Sequence, residues 1–207
     1  MKIIKPSAKI ISFVSEEMLN SIEYIGRVCY KSEDRITDGS AIDFVRKLIE
    51  RGHEAVLEHK SVTVRFICDR GVSHEIVRHR LASYCQESTR YCNYGNEDEI
   101  TVIDPLFWNE KSKEFKFWES SCLVAERTYL ELLKLGATPL EARSVLPNSL
   151  KTEVVMTANL REWRHFFRLR TAKAAHPQMR ELTIPLLREF KEKIPVVFED
   201  ILVEDEV

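Results

Sequence analysis

Arg78-His79-Arg80-Leu81-Ala82-Ser83-Tyr84-Cys85-Gln86-Glu87-Ser88-Thr89-Arg90-Tyr91 is the stretch on which the reading of this chain turns. A basic triplet opens it, and a polar segment carrying hydroxyls and a further guanidinium follows. Arginine offers planar, fork-shaped donors that suit a phosphate group. From Ser83 to Tyr91 the composition favours an extended chain, in which successive side chains point to opposite faces. Gln86, Ser88 and Arg90 then face one way, with Glu87, Thr89 and Tyr91 facing the other. An amide, a hydroxyl and a guanidinium in one row can hold a polar base together with its phosphate. Taken alone, Arg-His-Arg reads as a solvated turn before an edge strand; the whole run points to an anion site.

Outward from that run, Val72 to His79 reads as a short helix that delivers the basic triplet, and Val62 to Ile67 reads as a strand. Towards the N-terminus, Lys9 to Val14 alternates as a strand. Ser15 then caps a helix that runs to about Tyr30. A second helix, Ala41 to Arg51, ends at Gly52. Towards the C-terminus, Ile100 to Ile103 is a short strand. Lys113 to Leu135 is a long helix closed by Gly136, and Thr138-Pro139 opens the next helix. Lys151 to Ala158 reads as a strand, Leu160 to Arg170 as a helix, and Gln178 to Lys193 as a last helix that Pro185 should kink. Helices outweigh strands and do not alternate with them regularly, which argues α+β. Nothing in the chain looks like a repeat or a Gly/Ser linker.

The 207 residues suit one domain or two small ones, and a hydrophobic content of 44% is ordinary for a globular chain. The net charge of −2 supplies no global basic field for nucleic acid, so any anion site is local. No apolar run reaches the roughly 20 residues of a membrane span, and the start, Met1 to Pro6, lacks a signal-peptide core. The five cysteines form no Cys-x-x-Cys pair and read as reduced thiols of the cytoplasm.

A second cationic segment is Leu160 to Arg170. On a helix, Arg161, Arg164, His165 and Arg168 share one face, while Leu160, Trp163 and Phe167 share the opposite, apolar face. Arg170 falls on the apolar side, between Trp163 and Phe166, where a charge must find a partner. By the helix alone it snorkels or pairs with a glutamate. His53-Glu54 with His59, and His74-Glu75 with His79, both miss the His-Glu-x-x-His spacing, so no metal site is expected. The absence of Gly-x-Gly-x-x-Gly excludes a Rossmann reading, and no Gly-x-Ser-x-Gly surrounds Ser88.

Arg78, His79, Arg80, Ser83, Ser88 and Arg90 reproduce the pattern Arg-His-Arg-x-x-Ser-x-x-x-x-Ser-x-Arg, six fixed positions in thirteen. The chain therefore resembles the flavin-dependent thymidylate synthases, and the likeness extends from Gly52-His53-Glu54 to Ala175-His176-Pro177. The resemblance implies one α+β domain over 1–207, with mixed helices and a mainly antiparallel sheet. It implies conversion of dUMP to dTMP, with methylenetetrahydrofolate as carbon donor, NADPH as reductant and FAD as hydride carrier. It implies no enzyme nucleophile, so Cys85 is a tolerated small residue, and a cytoplasmic homotetramer whose sites are shared between subunits.

By the same resemblance, FAD is held by His53, Ala55 and Glu58, by Arg78, His79, Arg80 and Gln86, and by Asn159, Leu160, Arg161 and His165. The nucleotide is held by Glu75, Ile76, Val77 and Arg78, by the run Gln86, Glu87, Ser88, Thr89 and Arg90, and by Arg143. Arg170 both contacts it and activates it. At position 55 the family commonly has Ser or Thr, and at position 75 often Gln. A methylase acting on UMP or another uracil nucleotide is the nearest alternative. An RNA-binding module would explain the Arg-rich helix alone, but the slightly acidic balance disfavours it.

Overall fold

The structure, a computed structural model, describes residues 1–12 and 17–203. In chain order the elements are β1 (Lys2–Ile4), β2 (Ser7–Ile10), α1 (Glu17–Val28), α2 (Ser40–Glu50), β3 (Ser61–Asp69), α3 (Arg70–Ile76), β4 (Ala82–Gln86) and β5 (Thr101–Ile103). They continue with α4 (Lys113–Lys134), α5 (Pro139–Ala142), β6 (Lys151–Asn159), α6 (Leu160–Arg170), α7 (Pro177–Lys193) and α8 (Pro195–Phe198). The fold is α+β, with a four-stranded sheet ordered β2-β3-β6-β4 and a two-stranded β1-β5 pair. Lys60 accepts from the N–H of Leu160, and the Thr63 and Thr157 hydroxyls meet at 2.9 Å. Residue numbers thus rise along β3 as they fall along β6, the antiparallel arrangement. Both strands alternate buried and exposed side chains, the period that buries one face.

Contacts divide the chain into two compact units, and both β3 and β6 are divided between them. The first unit comprises residues 1–7, 65–78 and 84–155. Here β1 pairs in parallel with β5, Ile3 opposite Val102. Ile100, Val102, Cys122, Tyr129, Ala142 and Leu150 form its core beneath α4. The Ser112 hydroxyl caps α4 by accepting from the N–H of Phe115 at 3.1 Å. The second unit comprises residues 8–64, 79–83 and 156–207. Its core is aromatic: Trp163, Phe166 and Phe167 of α6 pack with Phe190 of α7 and Phe198 of α8. The Trp163 indole N–H is satisfied by the Val62 carbonyl at 3.0 Å.

Some boundaries differ from the sequence reading. The β2 strand ends at Ile10, short of the expected Lys9–Val14 span; Val14 and the proposed Ser15 cap lie outside the described residues. Met1 to Pro6 carries a strand that local pattern alone did not signal, because its partner lies about a hundred residues away. Helix α3 begins earlier, at Arg70, since the Asp69 carboxylate accepts from the N–H of Val72 at 2.7 Å. It ends at Ile76, so the basic triplet lies beyond it. Helix α7 runs continuously through Pro185. Among the described residues, no helix is long and apolar enough to cross a membrane.

Candidate active site

The predicted residues fall into two clusters, one in each unit. In the second unit, β6 runs directly into α6, whose first N–H groups need acceptors. The Asn159 side chain supplies one, accepting from the N–H of Glu162 at 2.8 Å. Leu160 is fully buried, with its N–H given to Lys60. Any contact of Leu160 with a ligand therefore runs through its remaining backbone. Glu162 is also buried, and its carboxylate lies 2.9 Å from Nδ1 of His79. On the far side of that imidazole, Nε of Arg170 donates to Nε2 at 3.0 Å.

These contacts fix the chemistry of His79. An arginine has only donors, so Nε2 must accept and the ring proton must sit on Nδ1, donated to Glu162. The ring is 5% exposed and packs edge-on against Phe166 at 4.8 Å. Burial pushes its pKa below the ordinary histidine value; the Glu162 hydrogen bond opposes this, while Arg170 and His165 add to it. His79 is accordingly a neutral imidazole at pH 7. The ligand atoms of His79, Glu162 and His165 lie within 4.8 Å of one another, a spacing that also suits an ion, but both His79 nitrogens are already bonded.

Around this group lies a cleft of about 560 Å³, lined by Glu54, Glu58, Leu81, Asn159, Arg161, Glu162, His165 and Arg168. Its acidic groups are engaged: Glu58 pairs with Arg161, and Glu54 with Arg164 and Arg168. Exposed Arg80, Arg161 and His165 remain at the surface of this unit as donors towards phosphate or ring carbonyls. That donor set fits a flavin nucleotide. His53 is exposed and faces the Tyr30 hydroxyl at 3.4 Å. Ala55 is exposed on the 3₁₀ turn of Glu54–His59 and brings no side-chain hydrogen-bonding group.

The expected cationic face of α6 needs correction. Arg164 is not presented to solvent with Arg161, His165 and Arg168 but is fully buried. It forms a two-pronged pair with Asp200 at 2.7 Å on each prong, donates to Glu54 at 3.1 Å, and also reaches the Val197 carbonyl. The C-terminal segment covers this face, which no helical periodicity could foretell.

In the first unit, the extended reading holds only to Gln86. The chain then turns: the carbonyl of Ser88 accepts from the N–H groups of Tyr91 and Cys92. Gln86, Ser88 and Arg90 therefore do not form one row. The Gln86 amide donates to the Ser73 hydroxyl at 3.0 Å. Glu87 is turned into the unit, held by the Tyr94 hydroxyl at 2.8 Å and the Lys151 ammonium at 2.9 Å. Thr89 is buried, and Nη1 of Arg143 lies 3.4 Å from its hydroxyl, so Arg143 and the turn are brought together. Arg90 is exposed, 5.2 Å above the ring of Tyr91. The Ile76 side chain is fully buried and its carbonyl is taken by the Tyr84 hydroxyl, while Glu75 and Val77 are half-buried and Arg78 is exposed.

Sequence reasoning passed over Glu162, Lys151 and Tyr94. Asn159 with Glu162 three residues later looks like an ordinary helix start, a pattern that hides the glutamate's second partner. The five cysteines are free thiols, Cys85 among the exposed ones.

A cationic turn in one unit and a guanidinium–imidazole–carboxylate chain beside a donor-lined cleft in the other are the equipment of a nucleotide-modifying enzyme. The sequence pattern of the family described as "Thymidylate synthase complementing protein" matches residues 10–196. A flavin-dependent thymidylate synthase of Geobacter sulfurreducens is 33% identical over 187 residues, spanning 87% of this chain and 80% of that one. One from Pyrococcus furiosus is 32% identical over 174 residues, spanning 83% and 71%. The fold matches that of PolB, a UMP/dUMP methylase of Streptomyces cacaoi solved with 5-Br dUMP, at a TM-score of 0.80 with 23% identity and 96% of each chain covered. The chain belongs to the flavin-dependent thymidylate synthase family.

Proposed function

We propose that the protein converts dUMP to dTMP, with 5,10-methylenetetrahydrofolate as carbon donor, FAD as its flavin and NADPH as reductant. The observation that carries this reading is the half-buried Arg170 guanidinium held on neutral His79. C5 of uracil is a weak nucleophile, and it gains electron density when negative charge drawn onto N3 and O4 is stabilised. Arg170, fixed before the substrate arrives, is suited to that task. Arg90, Ser88 and Arg143, with Thr89 beneath Arg143, hold the nucleotide phosphate and orient the ring. Arg78, Arg80, Arg161 and His165, with Asn159 as the cap of α6, hold the flavin; all of these but Arg78 belong to the second unit, as does His53. The flavin, when bound, supplies the redox chemistry. No cysteine attack on the pyrimidine is required.

The match over 10–196 includes residues of both units, which supports a single domain over 1–207. We place the enzyme in the cytoplasm as a homotetramer with sites shared between subunits. Incubation of purified, FAD-loaded protein with dUMP, methylenetetrahydrofolate and NADPH should yield dTMP. Absence of product from protein that retains FAD overturns the reading, and methylation of UMP in preference to dUMP replaces it with the uracil-nucleotide alternative.

A further inference from the structure

We propose that Glu162 is a positioning residue: by accepting the Nδ1 proton of His79 it holds the imidazole so that Nε2 receives Arg170. The inference rests on the reading that Arg170 acts on the bound pyrimidine. Glu162 has a buried carboxylate and α6 begins only two residues earlier, yet its side chain does not close a cap at the helix start. It points at His79 instead, at 2.9 Å. An unpaired buried carboxylate is costly, so its single short contact with the ring is a strong constraint on both groups. Phe166 packs against the ring and limits its tilt. The result is a chain of three groups, carboxylate, imidazole and guanidinium, of which only the last reaches towards substrate.

The device works only while His79 is neutral. A proton on Nε2 removes the acceptor that Arg170 uses and sets two cations against each other. Glu162, Arg170 and His165, all on α6, act electrostatically on the ring. Glu162 favours the protonated ring, and Arg170 and His165 disfavour it. Turnover should therefore fall on the acid side as pH drops through the His79 titration. Removing the charge of Glu162 should move that fall to lower pH.

The first measurement needs no variant: ¹⁵N spectra of histidine-labelled holoenzyme, with the His79 signal identified by its loss in His79→Gln. The expected result is the neutral tautomer protonated at Nδ1; a ring protonated at Nε2 overturns the proposal outright. The second compares Glu162→Gln with Glu162→Leu. The amide can still accept from Nδ1, so Glu162→Gln should keep the tautomer and most of kcat, with the acid limb of kcat shifted to lower pH. Leucine cannot accept, and Glu162→Leu should lose about tenfold to a hundredfold in kcat, the scale of misplacing a catalytic group, with little change in KM for dUMP. An acid limb that does not move in Glu162→Gln overturns the proposal. If Glu162→Leu loses the tautomer but turns over normally, what fails is the role of Arg170 in activation, a different and separable result.

Discussion

The α6 cluster and the Ser88–Cys92 turn each carry an arginine proposed to act on the nucleotide, yet they hold their guanidinium groups differently. On α6, Arg164 is sealed by Asp200 and Glu54, and Arg170 is seated on His79. At the turn, Arg90 lies exposed over its own neighbour Tyr91, and exposed Arg143 makes one long contact with Thr89. A guanidinium fixed in a water-poor setting needs no reorganisation when charge develops, so it can favour a transition state over a ground state. An exposed guanidinium is free to close on a phosphate and interacts with it equally before and during the reaction. On the proposed reading the same side chain serves activation in one unit and binding in the other, and the surroundings decide which.

The largest effect on stability should come from the group most deeply fixed. Arg164→Met removes a fully buried cation and leaves Asp200 and Glu54 to the exposed Arg168 alone; because Asp200 is partly exposed, the cost falls below the roughly 3–5 kcal/mol of breaking a fully buried pair, at about 2 kcal/mol. Urea unfolding should report a loss of that order, and a loss below about 1 kcal/mol would mean that solvent already screens the whole pair. Burial raises the Asp200 carboxyl, but the hydrogen bonds and charge of Arg164 outweigh this and hold it below the ordinary aspartate value of 3.8. Its folded pKa is therefore depressed. The stabilisation is present above pH 3.8 and is lost as pH falls through the lower folded value. Asp200→Asn should flatten that acid dependence.

Next come the two arginines that define the contrast. Arg170→Ala should lower kcat by about a hundredfold or more, the scale of removing a preorganised charge stabiliser. Arg90→Ala should chiefly raise KM for dUMP, by roughly tenfold or more, as expected for a charge-assisted hydrogen bond. Steady-state kinetics on both variants, with dUMP titration of the flavin spectrum, separates the roles. A kcat effect in Arg90→Ala and a pure KM effect in Arg170→Ala would invert the comparison. A smaller effect is expected beneath the turn. Lys151→Met removes the ammonium that ties Glu87 to Glu153, and it should raise KM for dUMP by roughly fivefold, the size of a partly exposed ion pair, while kcat holds.

Which parts of this contrast could be read from sequence follows from the range of the forces involved. Leu160 to Arg170 was legible to the residue, because a helix states its period locally and Asn159 marks its start. The burial of Arg164 was not, since its partner Asp200 lies 36 residues further on. The Ser88 turn was missed for a different reason: alternation of side chains presumes that the strand continues, and only the two N–H groups gathered by the Ser88 carbonyl end it. The motif residues were all identifiable by type and spacing. What spacing could not convey is that Glu87 faces inward and that Glu162 stands behind His79.

The smallest effect should come from Cys85, which tests whether exposure alone makes a thiol part of the chemistry. Cys68 is buried, and burial pushes its thiol pKa far up, which makes it a poor nucleophile. Cys85 is an exposed free thiol on β4, a few residues before the turn. A pyrimidine activated by Arg170 and methylated through flavin chemistry has no need of attack by a thiol. Serine nearly matches the size of cysteine, and an exposed strand position tolerates the exchange with little change in stability. Cys85→Ser should therefore retain kcat, KM for dUMP and bound FAD close to the parent values. A folded, flavin-loaded Cys85→Ser protein without thymidylate synthesis would place the nucleophile on β4, and the division between an activating helix and a binding turn would have to be redrawn around it.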